Sequence, residues 1–133
     1  MTEDHVSFEV AKLLKEKGFN GLCTAYYDCF TTENFHCGNE PTDFNSIDTK
    51  IRNIVAAPTL QMTMKWLREV HKIEVRSTYD WDKNTWWGQT VPMFDENDSN
   101  SEMFQTALGF DYPGKSYEES CEAGIKHCLK VLI

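Results

Sequence analysis

Ile73-Glu74-Val75-Arg76-Ser77-Thr78-Tyr79-Asp80-Trp81-Asp82, then Lys83-Asn84, then Thr85-Trp86-Trp87-Gly88-Gln89-Thr90-Val91, is the stretch that decides the fold. Its first ten residues alternate strictly. Ile73, Val75, Ser77, Tyr79 and Trp81 share one parity, and Glu74, Arg76, Thr78, Asp80 and Asp82 share the other. A period of two belongs to a strand with one covered face and one wet face. Lys83-Asn84 reads as the turn, and Thr85 to Val91 as the returning partner with Trp87 and Val91 pointing inward. A half-polar antiparallel sheet needs helices on one side only, so the class is α+β.

Helices flank this hairpin in the sequence. Leu60, Met64, Leu67 and His71 recur at spacings of four, three and four, with Thr63, Trp66 and Val70 beside them and Lys65, Arg68, Glu69 and Lys72 on the wet side. Pro58 stands where a helix tolerates proline, so a helix is predicted over about 59–71. His71 lies at its C-terminal end, where an imidazole complements the dipole or bonds a carbonyl. After the hairpin, 92–100 reads as an acidic loop and the alternation of Phe104, Thr106, Leu108 and Phe110 as a third strand. Tyr112-Pro113-Gly114 breaks the chain. Ser116 with Glu119 three residues on makes a capping box, and Cys121, Ile125, Cys128 and Leu132 form the buried stripe of a closing helix that reaches nearly to Ile133. At the other end Ser7 caps a helix over about 7–17 that carries Val10, Leu13 and Leu14 and stops at Gly18.

Between these lies a less regular region. Leu22 to Phe30 is aromatic and β-prone. Residues 31–50 read as a long loop with one hairpin, turning at Gly38-Asn39 and Pro41, with Phe35, Phe44 and Ile47 as isolated anchors. The predicted order is helix, irregular β segment, helix, antiparallel meander, C-terminal helix, within a single domain spanning 1–133.

The composition excludes several classes. Hydrophobic residues at 41% are enough for a core, which argues against disorder. No apolar run is long enough to span a bilayer, so no membrane partner is expected. The net charge of −8 opposes non-specific nucleic-acid binding, because phosphate repels it. Charge is divided unevenly. Residues 50–76 hold six bases against two acids, and residues 77–122 hold two against ten. The five cysteines and the acidic start Met1-Thr2-Glu3-Asp4-His5 suit free thiols and a cytoplasmic location.

Two helical stretches carry a resemblance. Ala57-Pro58-Thr59-Leu60-Gln61-Met62, continuing through Lys65-Trp66-Leu67-Arg68-Glu69-Val70-His71, and Ser7 to Phe19 are similar to small uncharacterised proteins of gut Bacteroides-like bacteria and their mobile elements. Ser116 to Ala123 matches the same group. The order of helix, short meander and closing helix also resembles that of phage ABA sandwich domains. The resemblance implies kinship, and an accessory role in a bacterial or mobile-element system, without a particular chemistry.

Few residue groups suggest chemistry. Cys23, Cys29, His36 and Cys37 are ligand types for zinc, yet Cys-x5-Cys is too loose and adjacent His36 and Cys37 seldom share a metal, so no metal or cofactor is expected. Asp80 and Asp82 share a strand face, where solubility beside the turn accounts for them better than a cation does. The sequence contains no Gly-rich phosphate loop, GxSxG, HExxH or EF-hand pattern, so no catalytic residue is assigned. The aromatic set Tyr79, Trp81, Trp86 and Trp87 remains. Trp86 and Trp87 have opposite parity, so one of them leaves the core and is a candidate anchor for a protein partner or a second copy of the chain. The expected function is a non-enzymatic interaction module. Nucleic-acid binding through basic helix 59–72 is the second reading, and a small metal-dependent or hydrolytic enzyme the third.

Overall fold

The structure, a computed structural model, describes residues 4–29, 34–50, 52–92 and 112–133. Its mixed α+β composition matches the sequence reading. The described residues include three α-helices and two three-stranded antiparallel sheets. The chain divides into two compact units, Met1–Met62 and Thr63–Ile133. No helix among the described residues is long and apolar enough to cross a membrane.

In the first unit, α1 (Phe8–Glu16) begins where the Ser7 hydroxyl accepts a hydrogen bond from the Val10 amide. Its Val10, Ala11 and Leu14 are buried. Gly18 ends it at φ +87°, a left-handed position where only glycine is unstrained. The turn lets the amide of buried Phe19 reach the Leu14 carbonyl at 2.9 Å. Strands β1 (Cys23–Asp28), β2 (Asn34–Thr42) and β3 (Ile54–Ala56) form a sheet in the order β2-β1-β3.

The long loop expected at 31–50 is therefore corrected for its described part. Residues 34–42 form a strand that pairs Phe35 with Tyr27 and His36 with Tyr26. Cross-strand aromatic pairing outweighs the turn signals of Gly38-Asn39 and Pro41. These are absorbed where the register shifts between Cys23 and Ala25. Phe44 is buried in a short 3₁₀ turn (Phe44–Ser46), as an anchor should be, whereas Phe35 is exposed. Every residue of β3 is buried, which explains why its apolar run shows no alternation.

Helix α2 (Leu60–Val70) starts one residue later than expected, because the Thr59 hydroxyl accepts from the Met62 amide and serves as the cap. Lys72, at φ 57°, turns the chain out of it. His71 sits just past its end, with its ring edge-on to Trp66 at 4.7 Å.

In the second unit, β4 (Ile73–Asp80) and β5 (Thr85–Pro92) pair along their full length, from Ile73 with Pro92 to Asp80 with Thr85. The third strand, β6 (Tyr112–Gly114), pairs with β5. Tyr112-Pro113-Gly114 thus joins the sheet instead of breaking the chain. A proline is tolerated there because β6 lies at the edge of the sheet among the described residues. The strand expected over Phe104 to Phe110 lies outside the described residues.

Helix α3 (Tyr117–His127) packs on this sheet. Ser116 accepts from the Glu119 amide at 3.1 Å, the forward half of the capping box. Cys121, Ile125 and Cys128 are buried as the stripe requires, and Leu129 is buried with them. The side chain of Leu132 lies outside the described set. Beyond His127 the helix widens into a π turn (Cys128–Leu132).

The approach of α3 to the sheet is set by small residues. A Cβ at Gly88 would stand 2.2 Å from the Ser120 carbonyl oxygen, and one at Gly124 would stand 2.9 Å from Val75 Cγ1. Ser77 and Ser120 join their hydroxyls across the contact, and Ser120 Oγ also donates to the Tyr117 carbonyl at 2.8 Å.

Candidate functional site

Opposed residues of an antiparallel pair lie on the same face of the sheet. Ile73 and Val75 are buried and β5 puts Thr90 opposite Val75 and Gly88 opposite Ser77. The face toward α3 is therefore Ile73, Val75, Ser77 and Tyr79 with Thr90, Gly88 and Trp86. Trp87 lies opposite Thr78, and Val91 opposite Glu74, both on the other face. This corrects the expectation that Trp87 and Val91 point inward. Parity forces the correction, since pairing Asp80 with Thr85 couples odd residues of β4 to even residues of β5.

The four aromatic residues of the candidate surface fall into three environments. Trp86 is half-buried, 5.1 Å from Tyr79 and 5.8 Å from Tyr117 at the start of α3, so it closes the open end of the helix–sheet core. Tyr79 is half-buried between Trp86 and Trp81, and its hydroxyl donates to the Asn84 side chain. Trp87 is half-buried on the outer face, with the Lys83 ammonium 5.6 Å from its ring centroid. Trp81 is 86% exposed. It stands edge-on to Tyr79 at 5.1 Å and an interplanar angle of 89°.

Trp81 does not extend the inward stripe as its parity suggests, because the strand ends at Asp80 and residues 81–84 form the turn. Asp80 explains that boundary. Its Oδ1 accepts from the amides of Asp82 at 3.0 Å and Lys83 at 3.4 Å, a side-chain cap that folds the backbone over at the tip. Asn84 completes the turn at φ 55°, a left-handed conformation that asparagine tolerates. Asp80 and Asp82 therefore do not share a strand face. Asp80 ends the strand, and Asp82 is exposed in the turn.

These residues enclose an open groove of about 510 Å³ on the outer face of the tip. Trp81 and Trp87 supply its apolar walls, and Thr78, Asp80, Asp82, Lys83 and Gln89 its polar ones. Among the described residues neither Asp80 nor Asp82 has an ion-pair partner within 4.0 Å. The sequence reading missed Lys83 and Gln89 as parts of this site. Their signal becomes visible once the register is known, because Gln89 follows Trp87 by two residues on the same face.

The remaining candidate groups are dispersed. Adjacent residues of a strand point to opposite faces, so His36 and Cys37 of β2 diverge. His36 stacks on Tyr26 at 5.0 Å, and Cys37 is exposed. Cys23 is buried, and burial pushes its thiol up to about 11, with the Asp43 carboxylate adding to the rise. Burial likewise raises Cys29, and the two nearby ammonium groups of Lys15 and Lys12 only partly oppose it. The raised thiols of Cys23 and Cys29 are poorly disposed to be nucleophiles. On α2 the exposed Lys65 stands 3.9 Å from Glu69, which offsets part of the basic face. No family model, curated protein or solved structure matches this chain.

Proposed function

We propose that this chain is a non-enzymatic protein-interaction module whose contact surface is the tip of the β4–β5 hairpin. The observation that carries the reading is Trp81, a large apolar ring 86% exposed at a turn whose backbone is fixed by Asp80 and whose ring leans on Tyr79. Leaving such a ring in water forgoes roughly 25 cal/mol per Å² of apolar surface. Tryptophans in that state are the side chains that most often anchor interfaces. The groove beside Trp81 adds hydrogen-bonding groups of both kinds, as the rim of an interface does.

The resemblance of the helices to small proteins of Bacteroides-like bacteria and their mobile elements supports an accessory role in such a system. Five free thiols support a cytoplasmic setting. The test is a photoreactive amino acid introduced at exposed position 78, beside the tip, with the same residue at exposed position 130 as control. The reading expects discrete adducts from position 78 in the source cell, lost when Trp81→Ala is added. Adducts between two copies of the chain would make the partner a homodimer. Equal labelling from both positions, or labelling that survives Trp81→Ala, would overturn the reading.

A further inference from the structure

We infer that the hairpin-tip groove takes a cationic side chain of a basic peptide segment, and that Lys83 occupies the position of that cation until the partner arrives. The inference rests on the interaction reading above and names the chemistry of the partner.

Three features carry it. The first is that the aromatic faces are available to a cation. Trp81 is nearly free of cover, and Trp87, the other apolar wall, faces the same groove. Tryptophan is the side chain whose face attracts cations most strongly. The second is the charge around those faces. Among the described residues the exposed Asp82 carboxylate is unpaired, and Asp80 commits one oxygen to the turn amides while its second oxygen accepts no hydrogen bond. At the tip the two carboxylates of Asp80 and Asp82 stand against the one ammonium of Lys83 among the described lining residues, a field that draws in cations and repels anions. An indole face bordered by carboxylates suits a guanidinium or ammonium and disfavours an acidic peptide or a nucleic-acid phosphate. The third is that the chain already shows the contact, because the Lys83 ammonium lies 5.6 Å from the Trp87 ring centroid. Among the described residues Lys83 is the only base lining the groove. A flexible ammonium at an exposed turn is easily displaced, and an arginine, with its planar and more weakly hydrated head, stacks on an indole better than lysine does.

Lys83 is therefore a competitor of the ligand and not part of its binding machinery. This sets the inference apart from simple attraction of polycations to an acidic protein. Removing Lys83 should tighten binding beyond what the loss of one positive charge elsewhere can do.

The experiment is a titration of the full chain, followed by isothermal calorimetry, with a short arginine-rich peptide, its glutamine-for-arginine counterpart and a neutral oligosaccharide. We expect the arginine peptide alone to bind, with affinity falling as salt rises. Lys83→Ala should raise affinity by about two- to fivefold, whereas Lys126→Ala, which removes the same charge from α3, should change it by less. Asp82→Asn should weaken binding more than Glu118→Gln, and Trp81→Ala should abolish it. The inference is overturned if Lys83→Ala and Lys126→Ala act equally, if Lys83→Ala weakens binding, or if the neutral oligosaccharide binds the groove in place of the peptide. It is also overturned if no peptide binds while cross-links from position 78 still depend on Trp81. In that case the tip remains an interaction surface for another chemistry. If both the cross-links and the titration are indifferent to Trp81, the inference and the interaction reading fall together.

Discussion

Trp81 and Trp86 lie five positions apart and should answer substitution in opposite ways. Trp81→Ala removes a ring that water already surrounds, so urea unfolding should move by no more than about 0.5 kcal/mol. Trp86 touches Tyr79 and Tyr117 where α3 meets the sheet, and Trp86→Ala should cost about 2–4 kcal/mol. Equal losses at the two positions would mean that the tip is part of the core. The sequence reveals that Trp86 and Trp87 must part company, because adjacent strand residues always do. It assigns the inward side to the wrong one, since that depends on which residue of β4 each tryptophan opposes. Trp81 is misread for a related reason. Alternation continues through Asp82, and only the side-chain cap made by Asp80 cuts the strand short.

At the scale of elements, the packing of α3 on β4 and β5 depends on a glycine. Gly88→Ala would drive a methyl group into the Ser120 carbonyl, backbone that cannot rotate away. We expect a loss of about 2–4 kcal/mol, measured by urea unfolding, and an unchanged midpoint would contradict the packing described.

The same helix predicts a pH dependence. Burial pushes the Cys128 thiol from 9.0 up to about 12, so the unfolded chain loses that proton first. The stability held by the neutral thiol is complete below pH 9 and is lost as the pH rises toward 12. Burial lowers His127 below its ordinary 6.5, so its contribution is complete above 6.5 and declines as the pH falls, when the unfolded chain takes up the proton first. Urea midpoints measured across pH should show both limbs, and Cys128→Ala should shrink the alkaline limb, to which buried Cys23 also contributes, and leave the acid one unchanged.

Elements with strong periodicity and caps are legible in the sequence: α1, α2, the β4–β5 hairpin and the start of α3 all stand close to where spacing and caps put them. Strand β2 is not legible. Its Gly38, Asn39 and Pro41 are turn residues by every local rule, and only pairing with β1 overrides them. The π turn at Cys128 is equally invisible, because its stripe reads as ordinary helix.

At the scale of the whole molecule, the net charge of −8 and its concentration in residues 77–122 are legible from composition alone and already disfavour polyanionic partners. Of the four aromatic residues that the sequence singles out, Tyr79, Trp81 and Trp87 line the groove, whereas Trp86 sits against Tyr117 of α3. The groove itself is not legible, since it forms only when a four-residue turn folds Asp82 and Lys83 beside the outer face that carries Trp87.

The central claim, that the tip of the hairpin is a contact surface and not part of the core, is tested most directly on the indole N–H signals. The chain has four tryptophans, and a nitrogen-15 spectrum separates them during titration with the arginine-rich peptide. The account predicts rapid water exchange and a saturable shift at Trp81, a smaller shift at Trp87, and stationary signals from Trp66 and Trp86. A Trp81 signal that is protected from exchange and unmoved, or a shift confined to Trp66 or Trp86, would contradict it.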